Sequence, residues 1–367
     1  MIGLALSGGG SRAIAFHLGC LRALSDLGVL DQVGVISTIS GGSVIGAYYA
    51  YSPQKSFGEF EADVRRILRK GFNKYIAREL LTPSKLLPCV GNLFATKLDS
   101  VVAQLLRRRP TLRRYPSRTD LFRNVLRRMM FADLRMSSPR RNDMEVVIGA
   151  CELRTGSAFR FTNRSAGGWR YGEVIDWDVD VPFAATASAA YPLLLPSLDR
   201  SWKFRKNGVE SEHRVLLTDG GIYDNLGVQV LEPDRSGDFS VHTFQCEYLI
   251  VCSAGQGQES GTLLPTRFVA RIGKSFDVVH RRVQDSTMHR LHHLSEAHLI
   301  KGFALPYLGQ QDDCLPLAPP DLVSRSSVVD YPTNFASMQD RWIDTLSKRG
   351  EQLTRLLVAH YLPDICR

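Results

Sequence analysis

The first fifty residues repeat one pattern twice: a short apolar run, a glycine-rich turn, then a helical stretch. Ile2 to Leu6 leads into Gly8-Gly9-Gly10-Ser11-Arg12, and Val33 to Ile39 leads into Ser40-Gly41-Gly42-Ser43. Apolar runs of this length, bounded by turn residues, read as strands buried on both faces. Residues 11–27 carry Ile14, Phe16, Leu18, Leu21, Leu24 and Leu27 close to helical spacing, and residues 43–51 begin a second helix that Pro53 stops. Successive β-α units joined by tight turns place neighbouring strands parallel, with helices on the faces. The expected fold is α/β, with a mostly parallel central sheet flanked by helices.

Strand character returns at Glu145 to Cys151, with a hairpin partner at Ala158 to Thr162, and again at Val215 to Leu217 and Tyr248 to Cys252. Between these blocks, residues 54–142 change character. Helical patterns at Phe60 to Lys70, Leu98 to Arg107 and Asp120 to Met130 alternate with arginine clusters, and Pro83, Pro88, Pro110, Pro116 and Pro139 mark loops. Helical spacing also fills about 265–300 and 335–361. The 367 residues thus divide into an α/β core over 1–260, interrupted by a basic helical insertion at about 54–142, and a helical extension over 261–367 packed on that core.

The charge belongs to the insertion. The whole chain is +9, yet residues 61–141 hold 20 Lys/Arg against 6 Asp/Glu, so the remainder is acidic. An anionic membrane surface suits such a segment. Leu121, Phe122, Val125, Leu126 and Met129 beside Arg123, Arg127 and Arg128 would form its interfacial face. The alternative is a non-catalytic module binding nucleic acid or anionic membrane through the same arginines. No helix-turn-helix, zinc or RNA-binding motif occurs there and aromatics are sparse, so no nucleic acid is expected as partner. No apolar run approaches the ~20 residues that cross a bilayer, and Met1 is followed at once by a strand rather than a basic leader. The expected location is cytoplasmic with membrane association, without signal peptide or transmembrane helix. Cysteines 20, 89, 151, 246, 252, 314 and 366 are scattered, with no C-x-x-C pair, and read as reduced.

Three glycine-rich strand ends carry the chemistry. Thr38-Ile39-Ser40-Gly41-Gly42 approximates the strand-to-helix elbow that exposes a nucleophilic serine. Ser43 is the rival, but it lacks the following glycine and falls inside the helix start. Gly8-Gly9-Gly10 opens a helix, where converging N–H groups receive an anion: a tetrahedral oxyanion, a pyrophosphate or a phosphate. Gly8-x-Gly10-x-x-Ala13 satisfies a loose dinucleotide fingerprint, but no acidic residue ends the second strand, which argues against a nucleotide-dependent oxidoreductase. Arg12 is positioned to bind an anion or hold the loop. Thr218-Asp219-Gly220-Gly221 follows Val215 to Leu217, and Asp219 is the candidate base; to take a serine proton it must sit in a low-dielectric pocket or share that proton tightly. No histidine adjoins a glycine-rich strand end. His289, His293 and Glu296 share a helix face, but no zinc motif matches, and no metal is expected.

These elements together resemble the patatin-like phospholipase family. Gly8-Gly9-Gly10-Ser11-Arg12 is similar to its oxyanion-hole motif, Ser40-Gly41 to its nucleophile elbow, and Asp219-Gly220-Gly221 to its dyad motif. Ala187-Ser188-Ala189-Ala190-Tyr191-Pro192 resembles the small-residue stretch before the aspartate. The match covers roughly 1–52 and 145–255. The resemblance implies a three-layer fold and a Ser40–Asp219 dyad without histidine. It further implies an oxyanion hole drawn from Gly8, Gly9, Gly10 and Gly41, hydrolysis of acyl esters in lipids, and no cofactor.

Overall fold

The computed structural model describes residues 1–54, 56–141, 143–192, 194–233, 235–238, 240–257, 261 and 265–366, apart from the side chains of Val269 and Phe276. Five strands run parallel, in the order β10 (Gly302–Ala304), β9 (Tyr248–Cys252), β1 (Ile2–Leu6), β2 (Val33–Ile39) and β3 (Glu145–Glu152). From β3 the sheet continues antiparallel through β4 (Ser157–Thr162), β5 (Ala166–Gly168), β6 (Gly172–Val174), β7 (Leu198–Lys206) and β8 (Val209–Asp219). β8 then returns to pair with the end of β3, closing a ring. The expected mostly parallel sheet needs correction: among the described residues four strand pairings are parallel and six antiparallel. Short hairpins explain the second half, since antiparallel neighbours need only a tight turn. Asn207 and Gly208 both have positive φ (51° and 77°) between β7 and β8, as a type I′ turn requires.

The parallel half is laid down by helices α1 (Gly10–Asp26) and α2 (Gly41–Tyr51), which start directly at the two glycine turns. Every residue of β1 is buried, as expected for a strand covered on both faces. Helix α10 (Asp340–Tyr361) packs on α1 in backbone contact; a Cβ on Gly19 would lie 1.7 Å from the Ser347 carbonyl oxygen. Its fully buried Arg349 donates to the carbonyls of Leu308 and Gln310 and pairs with Asp312. That buried cation is satisfied by its partners, and it ties the 308–312 loop to the core.

The insertion folds as α3 (Phe57–Lys70), α4 (Asn73–Leu80), α5 (Pro83–Leu105) and α6 (Arg118–Leu126). Leu121, Phe122, Val125 and Leu126 are buried, with Phe122 against the rings of Phe72 and Phe335. The face expected to meet a membrane is therefore core. Helix α5 extends fifteen residues further toward the N-terminus than the spacing from Leu98 suggests. Pro83 stands at its first position, where no N–H is needed, and Pro88 is accommodated within it. The remaining helices are α7 (Val181–Ser188), α8 (Gly221–Asp224) and α9 (Phe268–Glu296). All seven cysteines are free thiols, and Cys20, Cys151, Cys246 and Cys252 are buried.

Candidate active site

Strand β3 brings the site together. β4 occupies one of its edges from Val147 to Glu152. On the other edge β2 ends with Ile39 opposite Gly149, and β8 takes over with Asp219 opposite Ala150. The two strands meet end to end, so the residue after Ile39 comes beside the last residue of β8. The Ser40 hydroxyl donates to Asp219 Oδ2 at 2.8 Å across 179 positions of sequence. The Gly221 N–H donates to the other oxygen, Oδ1, at 2.7 Å.

Ser40 is held at φ 52°, ψ −118°, a conformation costing an L residue ~1–3 kcal/mol unless its surroundings enforce it. Ser188, the last residue of α7, does much of the enforcing. Its Oγ accepts the Ser40 N–H at 2.9 Å, meets the Ser43 hydroxyl at 2.8 Å and donates to the Gly149 carbonyl. One donor and two acceptor sites are thereby filled. The same stretch holds the base: the Ser188 carbonyl accepts the Gly220 N–H, and the Ala190 carbonyl accepts the Asp219 N–H. Ser43, the rival nucleophile, is fully buried behind Ser40. The 187–192 stretch, rich in small residues in sequence, clamps both loops through pairings that exist only in three dimensions.

The two glycine turns touch. A Cβ on Gly41 would lie 2.3 Å from the Gly10 carbonyl oxygen, and Gly9 adopts φ 143°, so side chains are excluded here. The N–H groups of Gly9, Gly10 and Gly41 have no acceptor among the described residues. Gly8 departs from the expected donor set. Its N–H is engaged by the Asn225 carbonyl at 3.1 Å, which leaves it unable to receive an oxyanion. Arg12 is buried; its Nε donates to the Ala254 carbonyl and one terminal nitrogen to the Tyr331 carbonyl. Burial lowers its pKa to about 10. These contacts tie the loop to the 254 and 331 segments, and Arg12 also lines the cavity over Ser40.

A cavity of about 660 Å³ opens over these groups, lined among others by Ser40, Asp219, Gly9, Gly10, Tyr191 and His280. This volume falls within the range of small-molecule sites. Asp219 is buried, and that burial pushes its carboxyl up to about 6, against hydrogen bonds from Gly221 and Ser40 that pull it down. No histidine adjoins a glycine-rich strand end in the sequence, yet His280 reaches one in space. Helix α9 carries it over the cavity, where it hydrogen-bonds the Gly221 backbone. Burial lowers its pKa, and the Ser40 hydroxyl is directed at Asp219. Asp224 builds the following turn, accepting the Gly227 and Gln229 N–H groups.

Comparison with known proteins places the fold. Human GIVD cytosolic phospholipase A2 superposes with a TM-score of 0.56 at 13% identity, over 97% of this chain and 58% of its own. The same human enzyme with methyl gamma-linolenyl fluorophosphonate and terbium chloride gives 0.54 at 13% identity, over 97% and 57%. The likeness is one of fold, and the chain spans somewhat over half the length of these structures. No curated protein sequence matches the chain. The family model described as patatin-like phospholipase matches residues 4–231, a span holding both glycine turns, Ser40, Ser188 and Asp219. Matched over well over half its length, the chain belongs to the patatin-like phospholipase family.

Proposed function

We propose that this protein is a lipid acyl hydrolase of phospholipase A or lysophospholipase type, cleaving fatty-acyl esters through an acyl-Ser40 intermediate. The observation that carries the reading is the 2.8 Å hydrogen bond from Ser40 to a buried Asp219 at a cavity wall. Ser40 Oγ attacks the ester carbonyl carbon as its proton passes to Asp219 Oδ2. The carbonyl oxygen becomes an oxyanion received by the free N–H groups of Gly9, Gly10 and Gly41. Asp219 returns the proton to the leaving alcohol, and the acyl group stays on Ser40. Water then attacks the acyl-serine with Asp219 again as base; the carbonyl–Oγ bond breaks, Asp219 returns the proton to Ser40 Oγ, and fatty acid leaves. Every step uses the chain's own residues, and Ser188 acts by positioning both partners.

Two expectations follow from the same groups. Fatty-acid release from a panel of phospholipids, lysophospholipids and acylglycerols is expected from the intact chain and lost in Ser40→Ala. Turnover near the unaltered rate in that variant would end the reading. The rate should also follow the ionisation of Asp219: kcat/KM is expected to fall about tenfold per pH unit below about 6, measured with a soluble ester between pH 4.5 and 8. A rate flat across that range would mean that another group takes the proton.

A further inference from the structure

We propose that α5 is a membrane-docking helix, its apolar stripe lying along an anionic bilayer and its flanking arginines on the lipid headgroups. The helix is built inside out. Leu87, Val90, Phe94, Leu98, Val101 and Leu105 recur at three- and four-residue spacing, so they share one face. Each is between 40% and 78% exposed, whereas Asp99 and Ala103, on the side toward the protein, are 8% and 1% exposed. A helix of a water-soluble domain normally shows the reverse. Only Lys85, Lys97 and Asp99 are charged along its 23 residues. Its most apolar 18-residue window has a mean hydropathy of 1.2 and is 11% buried. At 1.5 Å per residue it is about 34 Å long, enough to cross a bilayer. The absence of an unbroken apolar run in the sequence therefore hides a membrane-length apolar face. Asp99 ties the following loop to the helix: it accepts the N–H groups of Thr111 and Leu112 and pairs with Arg108.

Charge at its ends indicates what covers the stripe. The Asp99 contacts fold the following loop back, and the exposed Arg107 and Arg109 follow Leu105 by two and four residues at the helix C-terminus. Arg107, Arg109 and Arg114 form no ion pair among the described residues. Lys74 and Arg78, exposed on α4 just before the helix, form none either. Both ends of the stripe are therefore cationic. A second copy laid against it would oppose like charges, whereas an anionic lipid surface supplies the opposite sign. This docking goes beyond the hydrolase reading and is measured without turnover.

The test is co-sedimentation of the full chain, carrying Ser40→Ala, with phosphatidylcholine vesicles with and without phosphatidylserine. Binding is expected with phosphatidylserine and should weaken as salt rises. Leu98→Gln with Leu105→Gln should weaken it by about tenfold or more, and Arg107→Gln with Arg109→Gln should remove the preference for phosphatidylserine. On the Ser40 background both pairs should hydrolyse a short soluble ester as the unaltered chain does, showing that they fold. Binding unchanged in both pairs, or absent from the unaltered surface, would overturn the proposal. So would a dimer in sedimentation velocity that the leucine pair dissolves. Intact vesicle binding without ester hydrolysis would support docking and count against the hydrolase reading.

Discussion

Asp219→Asn is expected to lower ester hydrolysis by about 10³-fold or more while raising the melting temperature. The rate loss follows from removing the only group to which the Ser40 hydroxyl donates, since a positioned general base contributes ~10²–10⁴. The stability gain follows from burial. The carboxyl's folded-state pKa, about 6, lies above its ordinary 3.8. The folded state therefore holds the proton more tightly than the unfolded one, and the stability from the neutral carboxyl is complete only below pH 3.8. It is lost as pH rises through 6, so at pH 7 the ionised, buried carboxylate opposes folding by on the order of 2–3 kcal/mol. A neutral isostere removes that opposition, and thermal unfolding at pH 7 measures it. The gain should vanish near pH 4. His280→Ala is the companion variant: with no hydrogen bond from Ser40, it should stay within about tenfold of the unaltered rate. A loss in His280→Ala matching that in Asp219→Asn would move the base to the histidine.

Gly41→Ala is expected to lower kcat by about 10²–10³ with little change in KM. The added methyl would lie 2.3 Å from the Gly10 carbonyl oxygen and 2.8 Å from its nitrogen. Gly10 cannot retreat, because a Cβ there would itself lie 2.5 Å from the Asn334 carbonyl oxygen, and Ser11 donates to that same carbonyl at 2.7 Å. The collision must therefore shift one of the two turns bearing the free N–H groups. Losing one oxyanion donor costs ~10²–10³ in rate, and the donors act on charge that develops after substrate binds, so KM should be spared. Overpacking should also lower stability by ~1–3 kcal/mol. Gly58→Ala is the control, since nothing lies within 4 Å of its added methyl. Steady-state kinetics on a soluble ester read both variants; an unaltered kcat in Gly41→Ala would place the oxyanion elsewhere.

Where burial was complete on both faces, the sequence was easy to read. β1, β2 and β9 have the bounds that their apolar runs indicate, and Ser40, Gly41 and Asp219 stand at the strand ends where small residues cluster. The closing half of the sheet was harder. β7 and the start of β8 are rich in charge, and only Leu198, Trp202 and Phe204 mark their inner face. Trp202 and Phe204 pack on Phe159, and Trp202 also meets Phe161 and Phe183. β5, β6 and β10, at three residues each, are too short to show a period. Asn207-Gly208 is a hairpin signal written plainly in the sequence, and it favours antiparallel pairing in this half of the sheet. The apolar face of α6, expected at a membrane, is covered, while the apolar face of α5 is exposed. Both are apolar at helical spacing, and periodicity says which residues share a face without saying which face is covered. His280 and Ser188 reach the site through pairings that no local pattern encodes.

In the proposed mechanism Ser40 Oγ is the atom that attacks. A fluorophosphonate reacts with an activated serine and leaves a phosphonyl adduct, and peptide mapping by mass spectrometry locates it. One adduct per chain on Ser40, absent in Ser40→Ala and slowed by about 10³-fold in Asp219→Asn, is the expected result. An adduct on Ser43, or none on a chain that still releases fatty acid, would contradict it.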